Sequence, residues 1–195
     1  MRFISRSAIL LAAACLAIAA DAAARASEPV RATGTLQAAF APDEDVEGII
    51  ADVIAEARQQ VLVQAYLLTS KPITAALIAA HRRQVEVLVL VDADQLDKTD
   101  TSTAPRLAAA GIPVWLETRY QNAHNKVIVT DPASPDATVI TGSFNYTWTA
   151  QHKNAENILV ARKNQALAAQ YAANWTRHRR EAQPFQPGAS RSRVQ

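Results

Sequence analysis

The chain has 195 residues, 49% of them hydrophobic, and a formal net charge of +2. This length and composition suit one domain with a substantial core. The single cysteine, Cys15, lies in an apolar N-terminal stretch, and no residue after it carries a thiol. If that stretch is removed on export, disulfides and cysteine nucleophiles are excluded from the chemistry of the protein.

The N-terminus has the pattern of a secretory signal. Arg2 and Arg6 form a basic region, residues 8–20 are apolar but short for a membrane span, and residues 24–26 form a small-x-small cleavage site. We therefore expect residues 1–26 to be a signal peptide and the mature protein to be exported, periplasmic or secreted, from a bacterium. Cleavage slightly earlier, or retention as an uncleaved anchor, are the alternatives.

Charge is segregated along the remaining chain. Residues 27–118 hold 7 basic and 13 acidic side chains, whereas residues 119–195 hold 10 basic and 4 acidic side chains. This asymmetry favours an anionic partner for the second half. The alternative is that the two halves intermix in the fold, so that their charges cancel.

Apolar runs alternate with helical patterns over residues 27–183, which predicts one α/β domain with a mixed β-sheet flanked by helices on both faces. Strands are predicted over residues 35–40, 61–68, 85–91, 112–116, 126–130, 137–141 and 157–161. Helices are predicted to begin at residues 43–44 and at Ser70, and to cover residues 103–110 and 165–180.

Two connecting segments complete this organisation. Residues 131–136 are rich in turn formers and predict a hairpin between two strands. Residues 184–195 are rich in Pro, Ser and Arg and are predicted to be a disordered tail. Leu167, Tyr171 and Trp175 lie at helical spacing on the last helix and are expected to pack into the core.

The sequence around His124 points to phosphate chemistry. Residues two apart on a strand share a face, so His124 and Lys126 are predicted to point the same way while Val127 and Val129 enter the core. The imidazole can attack phosphorus, and the ammonium can hold a nonbridging oxygen. Asp131 falls at the strand end, where it is either a chemical participant or an anchor for the following loop.

Further polar residues follow at strand spacing. Ser143 and Asn145 are predicted to share a face and offer two neutral donors to the same anion, with Phe144 packed opposite. The alternative is a turn that satisfies its own backbone. Glu156 is a lone acid in a basic stretch, and it can accept a hydrogen bond from one imidazole nitrogen and fix the tautomer.

These residues resemble the phospholipase D superfamily, whose signature is His-x-Lys-x4-Asp followed by Gly-Ser-x-Asn. The matching positions are His124, Lys126 and Asp131, then Gly142, Ser143 and Asn145. The resemblance extends over residues 33–180 and is to the small exported bacterial endonucleases that carry a single signature. The chain departs from the family in a longer spacing between Asp131 and Gly142, and in Gln84, which stands where a glycine often ends a helix.

The resemblance implies a phospholipase D-like fold and a metal-independent phosphodiesterase that needs no cofactor. It further implies a non-specific endonuclease that cuts DNA, with RNA as a second substrate, through a phosphohistidine on His124. Lys126, Ser143 and Asn145 would bind the phosphate, and Asp131 and Glu156 would belong to the catalytic set. Because a second histidine must protonate the leaving group and the chain has one signature, the resemblance implies a homodimer with a shared active site.

Two other functions are kept as alternatives: phospholipid hydrolysis by the same chemistry, and non-catalytic nucleic-acid binding. Tyr120, Tyr146 and Trp148 lie in the loops beside the site and would stack on bases in a nuclease.

The remaining histidines and two acids have local interpretations. His81 is expected to be structural, and His152 lies near the site and is a candidate substrate contact. His178 is expected on a solvated basic face that could also bind nucleic acid. Asp92 and Asp94 are interpreted as loop caps.

Overall fold

The computed structural model describes residues 27–187. They form an eight-stranded mixed sheet with helices on both faces, which confirms the predicted fold class. The elements in chain order are β1 (Thr35–Ala41), α1 (Val46–Glu56), β2 (Gln60–Ala65), α2 (Lys71–Arg82), β3 (Glu86–Asp92), α3 (Ala93–Lys98), α4 (Ala104–Ala109), β4 (Val114–Glu117), β5 (Lys126–Thr130), β6 (Thr138–Gly142), α5 (Trp148–His152), β7 (Glu156–Arg162), α6 (Gln165–Glu181) and β8 (Gln183–Pro184). The predicted signal peptide lies outside the described residues.

The strand order is β1-β7-β6-β5-β2-β3-β4-β8, with β2, β3 and β4 parallel and all other pairs antiparallel. β5 lies near the centre and runs opposite to β2, so that Lys126 at its start pairs with Ala65 at the end of β2. The ends of β2, β3 and β6 therefore meet the starts of β5 and β7 along one edge of the sheet, which we call the site edge.

Both faces of the central strands are buried, which explains why they read as continuous apolar runs. On one face, alternate side chains of β2, β3 and β5 pack under α1 and α2 with Ile50, Ile54, Ile73 and Leu77. On the other face, the intervening side chains pack under α6 around Trp175, whose Nε1 donates a hydrogen bond of 2.9 Å to the carbonyl of Val63. The predicted packing stripe of the last helix is confirmed.

The first residue of α1 and of α2 comes directly after a side chain that caps the helix. α2 begins where it was predicted to begin, and Ser70 is its cap, because its Oγ accepts a hydrogen bond from the backbone N–H of Ile73. α1 begins at Val46, later than predicted, since Asp45 is the residue whose carboxylate caps the first turn. At the end of α2, Gln84 adopts a φ of 69°, the left-handed conformation that glycine takes more readily.

Three short elements were not predicted: α3, α5 and β8. Each is too short to show a hydrophobic period. The last of them corrects the predicted start of the disordered tail, because Pro184 pairs with Trp115, and the backbone N–H of Phe185 donates to the carbonyl of Val114. The domain therefore continues at least to Phe185, and residues 188–195 lie outside the described residues.

The two halves of the sequence interleave in the sheet, because β1 pairs with β7 and β2 pairs with β5. Arg162 of the basic half forms an ion pair with Glu56 of the acidic half. The acidic and basic halves of the sequence are therefore not separated into two lobes of the folded domain. Among residues 27–187, no helix has both the length and the apolar character needed to cross a bilayer.

Candidate active site

His124 and Lys126 lie at the start of β5 on the site edge. The backbone N–H of Tyr66 donates to the carbonyl of Asn125 at 3.0 Å, which fixes this segment against the end of β2. Lys126 Nζ donates to the carbonyl oxygen of His124 at 2.9 Å. The imidazole of His124 is exposed to solvent. Lys126 is buried, with a relative solvent accessibility of 6%. Lys126 is therefore hydrogen-bonded to the backbone of His124, with its ammonium buried beside the exposed imidazole.

Tyr66 supports both groups, a role that sequence analysis did not assign. Its ring centroid lies 4.3 Å from that of His124 and 4.8 Å from Lys126 Nζ. Its hydroxyl donates to Asn122 Oδ1 at 3.1 Å. The only sequence signal for this role is its position, directly after the buried strand β2.

The electrostatics at this site favour a neutral imidazole beside a charged ammonium near neutral pH. Partial burial lowers the pKa of His124 below its usual 6.5, and the charge of Lys126 lowers it further, while Asp92 opposes the shift. Burial lowers the pKa of Lys126 to about 8, with Glu156 acting in the opposite direction. A neutral imidazole has the free lone pair that nucleophilic attack requires.

Asp92 anchors the segment that carries His124. Its carboxylate accepts hydrogen bonds from the backbone N–H groups of Gln95 at 2.8 Å and Ala123 at 2.7 Å, and the residue is only 1% exposed. The prediction that Asp92 caps a loop is thus confirmed. The structure adds that the loop is the one leading to His124.

Ser143, Phe144 and Asn145 follow β6 on the same edge. Ser143 is exposed, and its Oγ accepts hydrogen bonds from the backbone and side-chain nitrogens of Asn157. Phe144 is fully buried, as predicted. Asn145 makes no side-chain hydrogen bond with the described residues, and its Oδ1 is buried without a partner there. Its amide is thus not used by the fold and is free to serve a ligand.

Gly142 allows β6 and β7 to approach closely at this point. A Cβ at this position would lie 2.2 Å from the carbonyl oxygen of Asn157. No other residue type fits without moving β7.

Glu156 begins β7, and its Oε1 accepts a hydrogen bond of 3.0 Å from Asn154. Within residues 27–187 of one chain, no hydrogen bond joins it to the imidazole of His124. Its charge instead acts on Lys126, where it favours the protonated ammonium.

Asp131 lies at the opposite end of β5 from the site. Its carboxylate accepts hydrogen bonds of 2.7–2.9 Å from three successive backbone N–H groups, those of Arg58, Gln59 and Gln60. Five residues of extended strand place it about 16 Å from Lys126 along the sheet. Of its two predicted roles, the structure supports the anchor and not the chemical participant, because the carboxylate is occupied far from the other site residues.

His178 corrects a further expectation, because it is not on a solvated face. It is 7% exposed, its Nδ1 lies 2.5 Å from Glu117 Oε1, and its ring stacks on Tyr120 with centroids 5.0 Å apart. Tyr146 is also buried, at 1% exposure, and cannot stack on a base. Packing of α6 onto the sheet buries His178, whereas Tyr146 lies in the core on the opposite face, with the side chains of α1 and α2.

The described residues contain no group of three or more His, Cys, Asp or Glu side chains placed to hold a metal ion.

Comparison with known proteins agrees with this architecture. A family model described as cardiolipin synthase, PLD-like domain, matches residues 50–179. The phospholipase D of Rickettsia bellii is 40% identical over 136 residues, covering 70% of this chain and 65% of that protein. The present chain thus spans about two thirds of the length of this curated relative.

Two solved structures have the same fold. Nuc from Salmonella typhimurium, a phospholipase D family member, aligns with a TM-score of 0.73 at 28% identity, covering 78% of this chain and 98% of that one. NucT from Helicobacter pylori aligns with a TM-score of 0.68 at 20% identity, covering 77% of this chain and 100% of that one. The family match includes every residue of the site edge described above, and the chain belongs to the phospholipase D superfamily.

Proposed function

We propose that the protein is an exported, metal-independent phosphodiesterase that cleaves nucleic acid as a non-specific endonuclease on DNA and RNA. One observation carries this proposal: the exposed imidazole of His124 and the ammonium of Lys126 both lie against the ring of Tyr66 at the site edge. Ser143 and Asn145 lie on the same edge as further phosphate ligands. No step of the proposed reaction needs a metal, because these donors neutralise the phosphate.

The reaction proceeds in two displacements. A ring nitrogen of His124 attacks phosphorus, and the P–N bond forms as the bond to the leaving oxygen breaks. A second imidazole, on the opposite side of the phosphate, donates a proton to that oxygen. Water then attacks phosphorus and gives its proton to the second imidazole, and the P–N bond breaks to release the phosphate product.

The second imidazole comes from another copy of the chain. No other histidine of the described chain contacts His124, and in-line displacement requires the nucleophile and the acid on opposite sides of phosphorus. A two-fold axis through the site supplies the partner subunit's His124. In this dimer, Glu156 orients an imidazole by accepting its hydrogen bond. That imidazole is the His124 ring of the same subunit or of the partner subunit.

Phospholipid hydrolysis is the second candidate, because the curated relative from Rickettsia bellii is named phospholipase D. Exposed apolar side chains near the site would favour it, and Phe40 and Trp148 are 56% and 57% exposed. The surrounding segments are otherwise polar, and the fold aligns with 98% of the chain of Nuc from Salmonella typhimurium. We therefore place nucleic acid first.

The test is to incubate the purified protein with plasmid DNA, RNA, phosphatidylcholine vesicles and bis(p-nitrophenyl) phosphate, each in excess EDTA. We expect cleavage of both nucleic acids and of the small diester, and no activity in the His124→Ala variant. Loss of all cleavage in EDTA with recovery in Mg²⁺ would falsify the proposed mechanism. Release of choline without nuclease activity would make phospholipid the substrate.

A further inference from the structure

A cavity of about 520 Å³ opens beside the site edge, on the face of the sheet that carries α1 and α2. Its walls include Glu47 of α1, Lys71 of α2, and Trp148 and His152 of α5. The chain connects the cavity directly to the site, because α5, which forms part of the cavity wall, begins three residues after Asn145. Leu68 pairs with Tyr146, and the backbone N–H of Thr69 donates to the carbonyl of Tyr146. None of the proposed catalytic steps uses this cavity.

Trp148 presents a large aromatic face to solvent at the mouth of this cavity. It is 57% exposed, whereas Trp175 is 3% exposed in the core. His152, one helical turn later, lies 4.7 Å from it between ring centroids, and Lys153 Nζ lies 5.8 Å from the indole centroid. The indole thus lies against one imidazole and near one ammonium. An aromatic platform with adjacent cations binds the bases and phosphates of single-stranded nucleic acid.

Glu47 provides a different kind of group in the wall of the same cavity. The residue is 7% exposed, and its Oε1 is buried without a hydrogen-bond partner among residues 27–187. A buried carboxylate oxygen without a donor is costly for the fold. A ligand that carries an N–H group would remove that cost. A carboxylate would repel a phosphate, so it is not expected in a site that binds phosphate alone. It can accept a hydrogen bond from the amino group at the edge of a nucleobase.

We propose that this cavity, the base pocket, binds a nucleobase of a single-stranded substrate beside the cleaved phosphate. Trp148 stacks on the base, Glu47 accepts a hydrogen bond from its exocyclic amino group, and Lys71 and Lys153 neutralise the flanking backbone. Bases with an amino group are therefore favoured over uracil and thymine. A base in a duplex cannot enter, because its faces are stacked and its edge is paired. This inference rests on the proposed nuclease function.

The test measures binding without turnover. Fluorescein-labelled oligo-dC and oligo-dU are titrated by anisotropy into the His124→Ala protein in EDTA. These two pyrimidine strands differ at the base edge, where cytosine has the amino group that uracil lacks. We expect oligo-dC to bind more tightly, and Trp148→Ala to weaken its binding about tenfold. Glu47→Gln should remove the preference for oligo-dC, since an amide can also donate to the carbonyl of uracil.

Further variants of the binding experiment test the role of each group. Lys71→Ala and Lys153→Ala should each reduce the salt dependence of binding, by about 0.7 in the log–log slope. Leu36→Ala is the matched control: it removes a side chain that is 60% exposed, at the other end of β1 from the site edge, and it should leave the dissociation constant unchanged. Trp148→Phe keeps an aromatic face and should retain most of the affinity. Thermal unfolding confirms that each variant is folded.

Failure of this inference can be told apart from failure of the proposed function. Bis(p-nitrophenyl) phosphate is too small to fill both the site and the base pocket, so its hydrolysis by the unmutated protein reports on the catalytic centre alone. The base pocket is contradicted if that diester is cleaved but the affinity for oligonucleotides is unchanged in Trp148→Ala and equal for oligo-dC and oligo-dU. It is equally overturned if Trp148→Ala abolishes sedimentation with phosphatidylglycerol vesicles and leaves oligonucleotide binding intact.

Discussion

Lys126 combines burial with an ammonium group that the fold barely uses. The residue is 6% exposed, and its Nζ donates one hydrogen bond, to the carbonyl of His124. An ammonium has three donors, so two remain for a nonbridging phosphate oxygen. The low pKa of Lys126, about 8, reflects the cost of removing a charged ammonium from water.

The rate of cleavage should therefore depend on pH from both sides. Protonation of His124 stops attack, and because its pKa lies below the usual 6.5, activity should persist in mildly acidic buffer. Above pH 8, loss of the Lys126 proton weakens phosphate binding, since its pKa is about 8. We expect a bell-shaped profile of kcat/KM, whose limbs belong to the coupled groups of the dimer.

Lys126→Arg separates the two possible origins of the basic limb. If Lys126 sets that limb, the arginine variant keeps its charge and the limb moves to higher pH. If the partner's histidine sets it, the limb stays in place. A rate that keeps rising to pH 9 in the unmutated protein would contradict both.

Lys126→Met should abolish activity but stabilise the fold. The pKa of Lys126 is about 8 in the folded chain, against about 10.4 in an unfolded one. The unfolded chain therefore binds more protons between these values, and the charged ammonium destabilises the fold below pH 8. Replacing it should raise Tm by about 2–4 °C at pH 7, corresponding to about 1 kcal/mol.

The pH dependence of Tm tests whether the charge of Lys126 is what destabilises the fold. The gain in Tm should shrink as pH rises through 8 towards 10, because the native lysine then loses its charge. Lys98→Met, at a side chain that is 67% exposed, should show no comparable gain. A lower Tm for Lys126→Met would show that the ammonium stabilises the free protein.

At the scale of elements, β5 is fixed at both of its ends by groups from the first half of the chain. Tyr66 and Asp92 hold the segment before it, through contacts with Asn125 and Ala123. Asp131 holds its far end, through the backbone of residues 58–60. The strand that carries the proposed site is thus fixed at both ends, and no mobile loop is needed to bring His124 and Lys126 together.

Asp131→Asn tests whether this residue anchors β5 or takes part in the reaction. An amide replaces a carboxylate that accepts three N–H groups, so we expect a loss of about 2–3 kcal/mol in the free energy of unfolding. Well below its Tm, the variant should keep most of its activity per folded molecule. Asp136→Asn, in the exposed part of the same turn, should change neither quantity. Loss of turnover in a fully folded Asp131→Asn protein would return Asp131 to the catalytic set.

In the dimer that we propose, one chain supplies half of the shared site. The site edge is open to solvent at His124. The buried hydrogen-bonded network of His178, Glu117 and Gln64 lies under α6, on the other face from the base pocket. It holds the end of β4, before the segment that leads to His124. The edge is thus firmly built but lacks a second imidazole.

A mixed dimer tests the shared site directly. His124→Ala and unmutated chains are co-expressed with separate tags, and the dimer that carries both tags is purified. A shared site in that dimer has one histidine, so its activity should be nearly lost although half of its chains are intact. Retention of about half the activity would mean that each chain holds a complete site. Sedimentation of a fully active monomer would have the same meaning.

Sequence alone determined the parts of this protein that depend on local pattern. β5 matches its predicted bounds, α2 starts where it was predicted to start, and Lys126 donates to the carbonyl of His124 at one end of β5. Alternation along a strand and capping of a helix are properties of a few consecutive residues. The family signature is equally local, and the fold class followed from the alternation of apolar runs.

The tertiary structure decided the role of each group whose partner is distant in sequence. Asp131 accepts hydrogen bonds from residues more than 70 positions away, and His178 meets Glu117 across 61 positions. The same holds for Tyr66, which reaches His124 only because β2 and β5 are neighbours. A side chain of given type can cap, anchor, pair or react, and what chooses among these is the set of atoms that folding brings within about 3 Å of it. No local pattern contains that set.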